Sequence, residues 1–232
     1  MKLLAIDTAL GATSACVLAA GESEPESLET IVMERGHAEA LLPLIERVVD
    51  AVEGGMDAIS RIAVTVGPGS FTGIRIGIAA ARAIGLAREA PVVGVSTLAA
   101  LAAPVIAARV AGLVVAAVDA RHGSIFAQAY ASGGKTLLSP RLTTPREAVR
   151  ALGRGPFRIV GSGAQALAAE AAAMGIPSEI VTQEPYADIA FVARLGYLAD
   201  PGTAPPKPLY LKAPDAKAQT NGRIPRAAGS GA

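Results

Sequence analysis

Histidine, serine and cysteine are the residues of this chain that could carry metal or nucleophile chemistry, and histidine and cysteine are few. The sequence has two histidines, His37 and His122, and one cysteine, Cys16. A zinc protease motif needs two histidines on one helix face, and these two are far apart in the chain. Ser70 and Ser162 have glycine neighbours but lack the Gly-x-Ser-x-Gly pattern of a nucleophile elbow. We therefore expect no catalytic residue, no metal site and no internal disulfide.

A glycine-rich run over residues 67–77 could indicate phosphate binding, but its sequence argues against that chemistry. The run is GPGSFTGIRIG, without the Gly-Lys-Ser/Thr ending of a P-loop. Its Gly-Pro-Gly stops a β-branched strand over residues 62–66, and Ser70 or Thr72 can then cap a helix. The run is therefore predicted to be a strand, a turn and the start of a helix.

The predicted helix over residues 72–87 has an unusual row of small residues. A glycine or alanine occurs at every fourth position: Gly69, Gly73, Gly77, Ala81 and Gly85. Each interior glycine costs about 0.8 to 1 kcal/mol of helix propensity, so the row needs a structural reason. Close approach of a second helix is one such reason. We favour a helix of another subunit over a helix of the same chain, and expect Gly73→Leu or Gly77→Leu to preserve the fold and weaken association.

The elements of the chain repeat. Strands are predicted over residues 3–7, 13–19 and 30–33, followed by a helix around 41–52, the 62–66 strand, the glycine-lined helix, a strand over 92–95 and a helix capped by Ser96 or Thr97. The order restarts with strands over 113–119 and 124–131, a helix over 145–152, a strand over 158–160, a helix over 164–174, a strand over 179–181 and a helix over 187–198. Two copies of one unit predict two α/β lobes.

Composition favours a compact cytoplasmic protein. Hydrophobic residues make up 51% of the 232 residues and charged residues 18%, and the net charge is +1. The part from Lys207 onward has five Lys or Arg against one Asp, a net charge of +4, so the rest carries −3. An acidic body argues against broad nucleic-acid binding by the fold itself. Residues 213–232 are predicted to form a flexible basic tail, and no stretch predicts a membrane span.

The duplicated plan resembles the actin-like ATPase superfold. That resemblance implies two ribonuclease H-like lobes, each a mixed sheet flanked by helices, over residues 1–105 and 106–212. It also implies that the hairpin turns after Asp7-Thr8 and after Asp119 would face nucleotide. Strand-end carboxylates such as Asp7 also cap local amide groups, and that interpretation stays open. A small ATP-dependent kinase or ATPase, with Asp7 and Asp119 organising Mg-nucleotide, is the alternative function.

Five segments resemble the TsaB family of bacterial tRNA threonylcarbamoyladenosine biosynthesis proteins. In chain order they are the opening Leu-Ala-Ile-Asp-Thr, the segment 37–44, the run 67–77, Asp119-Ala120-Arg121 and the late segment 208–212. The resemblance implies a cytoplasmic, non-catalytic subunit that pairs with and stabilises a metal-bearing catalytic paralogue and works with a small ATPase on an adenosine beside the anticodon. Contact with tRNA would be indirect, and the chain would form a homodimer when alone.

The same resemblance implies a pairing surface made of two helices, the one that begins at His37 and the glycine-lined one. The interface residues expected there are Leu41, Leu42, Ile45, Val49, Gly69, Gly73, Gly77 and Ala81. No firm cofactor is implied, although the degenerate site at Asp7, Thr8 and Asp119 leaves room for weakly held or subunit-boundary ATP or ADP.

Overall fold

The fold is a duplicated α/β arrangement in a computed structural model that describes residues 1–212. The predicted basic tail, residues 213–232, lies outside the described residues. Both halves have the same element order, three strands followed by a helix, a strand, a helix, a strand and a helix. The predicted two-lobe duplication is therefore confirmed.

The first half forms a five-stranded mixed sheet with strand order β3-β2-β1-β4-β5. Its first three strands are antiparallel, and β4 and β5 run parallel to β1. The elements are β1 (Lys2–Asp7), β2 (Ala12–Ala19), β3 (Ser27–Val32), α1 (His37–Asp50), a single 3₁₀ turn (Gly55–Ala58), β4 (Ile59–Gly67), α2 (Phe71–Ala87), β5 (Val92–Ser96) and α3 (Thr97–Ala107).

The second half repeats this topology with strand order β10-β9-β6-β7-β8. Thr144 and Glu147 form a reciprocal capping box at the start of α4, which fixes its N-terminus directly after the third strand. The elements are β6 (Leu113–Asp119), β7 (Ile125–Tyr130), β8 (Thr136–Thr143), α4 (Pro145–Leu152), β9 (Phe157–Val160), α5 (Ala164–Ala173), β10 (Ser178–Thr182) and α6 (Ile189–Leu198).

The helices and sheets stack in five layers. Helices α1 and α2 cover the outer face of the first sheet, and α4 and α5 cover the outer face of the second. Helices α3 and α6 lie between the two sheets, where one apolar cluster joins both halves. Within that layer α6 packs on the first sheet and α3 mainly on the second, so each half contributes its last helix to the other half's sheet.

The sequence predictions differ from the structure at several places, and α1 and β4 begin at His37 and Ile59, earlier than the apolar patterns predicted. Strand β8 was not predicted, because it is an edge strand with mostly exposed residues and it contains Pro140. Strand β3 begins at Ser27, earlier than predicted. Ser96 occupies the N-cap position of α3, but neither its hydroxyl nor that of Thr97 makes a hydrogen bond, so the predicted side-chain cap is absent.

The predicted boundary between residues 105 and 106 falls within α3, which ends at Ala107, whereas the second sheet begins at Leu113. The exact bounds of the two lobes stay a prediction. No helix within residues 1–212 combines the length and apolarity needed to cross a membrane.

Candidate functional site

The turn after β1 is buried, and its carboxylate is used internally. Asp7 is 1% exposed, and its Oδ1 accepts hydrogen bonds from the Ala9 amide at 2.8 Å and from Thr65 Oγ1 at 2.5 Å. Burial raises the pKa of the Asp7 carboxyl above its ordinary value of 3.8, and the hydrogen bonds from Thr65 and Ala9 oppose only part of that shift. The Asp7 carboxylate therefore caps a local amide of the turn, which is one of the two roles that the sequence left open.

The glycine row of α2 faces this turn. A Cβ on Gly69 would lie 2.2 Å from the Ala9 carbonyl oxygen, and a Cβ on Gly73 would lie 2.1 Å from the Thr8 carbonyl oxygen. The Thr8 hydroxyl donates to the Gly73 carbonyl at 2.7 Å. Because real Cβ atoms do not approach other heavy atoms so closely, only glycine allows the helix to lie against the turn.

The predicted role of the row as a groove for a partner's helix is therefore wrong. Gly73, Gly77 and Ala81 are buried, and the element that covers the start of the row is the chain's own turn after β1. The expectation that Gly73→Leu preserves the fold is wrong for the same reason, since its side chain would collide with the Thr8 carbonyl.

Three further residues predicted for the interface also lie in the core. Leu41, Ile45 and Val49 on α1 are 1 to 2% exposed and pack with the outer face of the first sheet. Leu42, by contrast, is 60% exposed. Of the predicted interface residues on α1, only Leu42 thus presents its side chain outward.

The outward-facing sides of α1 and α2 nevertheless form one exposed surface. It is continuous because the two helices pack side by side on the same sheet. On α2 this surface contains Ala79, Ala83 and Leu86, and Leu86 is 84% exposed. The row of small residues, from which the sequence prediction was made, lies on the buried side of α2. The exposed stripe could have been predicted from the sequence, because its apolar residues lie about half a turn around the helix from the glycines.

The turn after β6 differs from the turn after β1 because it faces a cleft of about 430 Å³ between the halves. Asp119 lies on the cleft wall, and its Oδ1 accepts from the Arg121 amide at 2.9 Å. Arg121, His122 and Gly123 all have positive φ, which gives the turn a tight left-handed path. Neither Asp7 nor Thr8 lines this cleft, so the structure does not bring the predicted nucleotide residues together.

The C-terminal segment forms another wall of the cleft and is held by α2. The Leu209 amide donates to the Val66 carbonyl at 2.7 Å, and Arg82 donates to the Pro206 carbonyl at 2.7 Å. Arg75 Nε donates to the Tyr210 hydroxyl at 2.9 Å. Arg75 and Arg82 therefore hold this segment. Their seven-residue spacing puts them on one stripe of α2, and this was the available signal for a role that the sequence analysis missed.

The two histidines lie in different settings. His37, 8% exposed, begins α1, and its Nδ1 is 2.8 Å from Thr13 Oγ1. Burial lowers the pKa of the His37 imidazole below 6.5, and the charge of Asp7 opposes that shift. His122 is exposed in the turn after β6. Across residues 1–212, no three His, Cys, Asp or Glu side chains are grouped so as to hold a metal ion.

Comparison with known proteins places the chain in a family. A family model described as "TsaD: tRNA N6-adenosine threonylcarbamoyltransferase" matches residues 31–193, well over half of the chain. The tRNA threonylcarbamoyladenosine biosynthesis protein TsaB of Escherichia coli is 36% identical over 126 residues. The chain is a TsaB-like member of the TsaD family. An uncharacterized protein of Mycobacterium tuberculosis is 31% identical over 93% of both chains.

Solved structures agree with this placement. The chain matches "YeaZ from Pseudomonas aeruginosa" with a TM-score of 0.72 and 26% identity, covering 90% of this chain and 99% of that one. The match with the Escherichia coli TsaB protein covers 54% of this chain and 53% of that protein. The match with the TsaB protein of Haemophilus influenzae covers 52% of that protein. The chain thus spans about half the length of the first curated relatives it matches.

Proposed function

We propose that this chain is a non-catalytic subunit of the cytoplasmic machinery that makes threonylcarbamoyladenosine in tRNA. In this role it pairs with the catalytic, metal-bearing paralogue and stabilises it, works alongside the small ATPase of the pathway, and meets tRNA mainly through the complex. The names of its relatives support the pathway. The exposed apolar surface on α1 and α2 is the observation that supports pairing.

The pairing surface is the outer stripe of α1 and α2, defined by Leu42, Ala79, Ala83 and Leu86. Leu42 is 60% exposed and Leu86 is 84% exposed, whereas 16 of the 21 leucines of the chain are buried or partly buried. Burying one leucine side chain contributes about 1.5 to 3 kcal/mol before the costs of association are deducted. The alanines between them allow close approach of a partner helix. The same surface would support a homodimer when the paralogue is absent.

We assign the metal-bearing role to the partner because the described residues of this chain offer no cluster of metal ligands. Zinc and iron sites in proteins use clustered histidine, cysteine and carboxylate ligands. His37 and His122 belong to different halves, and the part of the chain that the structure describes has no such cluster. The chain therefore supplies surface and positioning, and the paralogue supplies the transferase chemistry.

Association with the purified paralogue tests this proposal. Leu86→Asp is expected to weaken the heterodimer by about tenfold or more, since it removes apolar burial and introduces a charge. Leu198→Asp is the matched control, because Leu198 on α6 is 83% exposed but lies away from α1 and α2. Sedimentation velocity measures both. An unchanged heterodimer in Leu86→Asp, or equal losses in both variants, would contradict the proposed surface.

A nucleotide-binding function is a second candidate, and the cleft between the halves favours it. Asp119, Arg121 and Lys212 line this cleft together with the start of α2. A carboxylate can hold Mg²⁺ and cations can hold phosphates, so the cleft could take ATP or ADP weakly or at a subunit boundary. Calorimetric titration with Mg-ATP tests this function. Turnover of ATP by the isolated chain, lost in Asp119→Asn, would favour a kinase or ATPase over the non-catalytic role.

A further inference from the structure

The cleft rim joins aromatic and cationic side chains. The chain has eight aromatic residues, four Phe and four Tyr, and three of them line this one cleft: Phe71, Phe126 and Tyr210. The rings of Phe71 and Tyr210 are 5.0 Å apart, and the Arg75 guanidinium lies 3.7 Å from the centre of the Phe71 ring. Such a concentration is unusual in a chain with only 3% aromatic residues.

Tyr210 is the ring that solvent reaches. It is 41% exposed and is the single aromatic residue among the large exposed hydrophobic side chains of residues 1–212. One edge of the ring is fixed, because its hydroxyl accepts from Arg75. A ring held in place while still accessible is a ready stacking surface, since little conformational freedom is lost when a planar group covers it.

Positive charge surrounds this ring. Arg121 and Lys212 line the cleft, and Arg75, Arg82 and Lys207 follow along α2 and the segment that α2 holds. Asp119 is the one carboxylate among the cleft-lining residues, and one of its oxygens already accepts from the Arg121 amide. The rim is thus basic on a body that is acidic elsewhere.

We infer that this rim contacts single-stranded RNA directly, with Tyr210 stacking on an unpaired base and Arg121 and the neighbouring cations meeting phosphates. Unpaired loops are recognised by aromatic stacking combined with basic side chains, and the rim offers both within one cleft. A partner protein with an acidic surface would use the cations of the rim but would not need the exposed Tyr210 ring. This inference rests on the proposed function, which supplies a tRNA substrate, and changes the indirect tRNA contact predicted from sequence into a direct one.

The test uses the full-length chain and a fluorescein-labelled anticodon stem–loop RNA, with binding followed by anisotropy over a series of salt concentrations. Tyr210→Ala is expected to weaken binding by about tenfold, whereas Tyr210→Phe, which keeps the ring but loses the hydrogen bond from Arg75, is expected to weaken binding less. Arg121→Ala is expected to reduce the slope of log K against log salt by about 0.7. Arg150→Ala is the charge control, because Arg150 is exposed on α4 in the outer layer of the second half.

Three results would overturn the inference. The first is wild-type RNA affinity in Tyr210→Ala. The second is that truncation after Ala213 abolishes all binding while Tyr210→Ala has no effect, a result that would assign binding to the tail alone. The third is equally tight binding of poly-glutamate to the basic rim, with RNA and poly-glutamate affected alike by Tyr210→Ala, which would indicate an acidic partner. Heterodimer formation is measured separately with Leu86→Asp, so failure of RNA binding and failure of the proposed pairing are distinguishable.

Discussion

The turns after β1 and β6 occupy corresponding places in the two halves, yet the first is sealed and the second is open. In the first half the chain entering α2 donates the Ser70 amide to the Ala9 carbonyl, which lies two residues beyond Asp7. In the second half the chain entering α5 donates the Gly163 amide to the Ala117 carbonyl, two residues before Asp119. The chain entering the first helix therefore covers the turn itself, whereas the chain entering the second reaches only the end of the strand, where the Ser162 hydroxyl accepts from the Asp119 amide.

This difference shows how a duplicated topology acquires unequal functions. In both halves an aspartate ends the first strand, and both aspartates accept a hydrogen bond from the amide two residues on. Burial then decides what each carboxylate can do: Asp7 stabilises a buried turn, and Asp119 faces the cleft. The position of a residue in the repeat predicts its place in the fold but not its access to a ligand.

Gly73→Ala should break the sealed turn. The added Cβ would lie 2.1 Å from the Thr8 carbonyl oxygen, so helix or turn must move, and we expect the free energy of unfolding to fall by about 4 kcal/mol. The counterpart is Gly123→Ala in the open turn, where no heavy atom lies within 4 Å of the added Cβ. Its positive φ should cost only about 1 kcal/mol. Urea unfolding measures both, and equal losses would contradict the comparison.

Asp7→Ala should be the next most damaging change. It leaves the Ala9 amide and the Thr65 hydroxyl without their acceptor in a buried site, so we expect a loss of about 3 kcal/mol. Asp119→Ala, in the solvent-facing turn, should change stability by less than about 1 kcal/mol. Thermal and urea unfolding of the pair provide the measurement. A larger loss for Asp119→Ala would mean that the open turn is the structural one.

The pH dependence of stability should separate the two aspartates further. Because the folded-state pKa of Asp7 is raised above 3.8, the part of its contribution to stability that depends on protonation is complete below pH 3.8 and is lost as pH rises through the folded-state pKa. The stability of Asp7→Asn relative to the wild type should therefore improve as pH rises through that window. Urea unfolding at a series of pH values tests this, with Asp119→Asn as the control. A relative stability that is constant or falls with pH would contradict it.

His37 should show the smallest effect, with the opposite sign. Its folded-state pKa is lowered below 6.5, so its contribution to stability is present above pH 6.5 and is lost as pH falls through the folded-state pKa. His37→Gln, which can keep the contact with Thr13, should flatten that loss. The same substitution at His122 in the open turn is the control. Identical pH profiles for the wild type and His37→Gln would show that this imidazole is not linked to folding.

Much of the fold followed from local signals in the sequence. The Gly-Pro-Gly before α2, the N-cap Ser70 and the repeated order of strands and helices all gave the correct elements, because turn chemistry and periodicity are local. Strand β8 was missed because its pairing with β7 comes from tertiary contact, not from its own alternation.

The candidate site was harder to predict because it depends on which surfaces meet. The row of small residues correctly indicated a close backbone approach, but the sequence does not say that the approaching element is the turn at Thr8 and Ala9. Likewise Arg75 and Arg82 share one stripe of α2, but their partners lie more than a hundred residues later in the chain. Long-range contacts of this kind have no local pattern.

The exchanged positions of α3 and α6 have a consequence for how the halves depend on each other. Each sheet has one face covered by a helix that the other half encodes, so either half expressed alone would leave an apolar sheet face uncovered. A cut in the linker between Ala108 and Gly112 would leave the two fragments clasped through these helices. The duplicated chain thus resembles an intramolecular dimer, in which each half needs the other to cover its sheet.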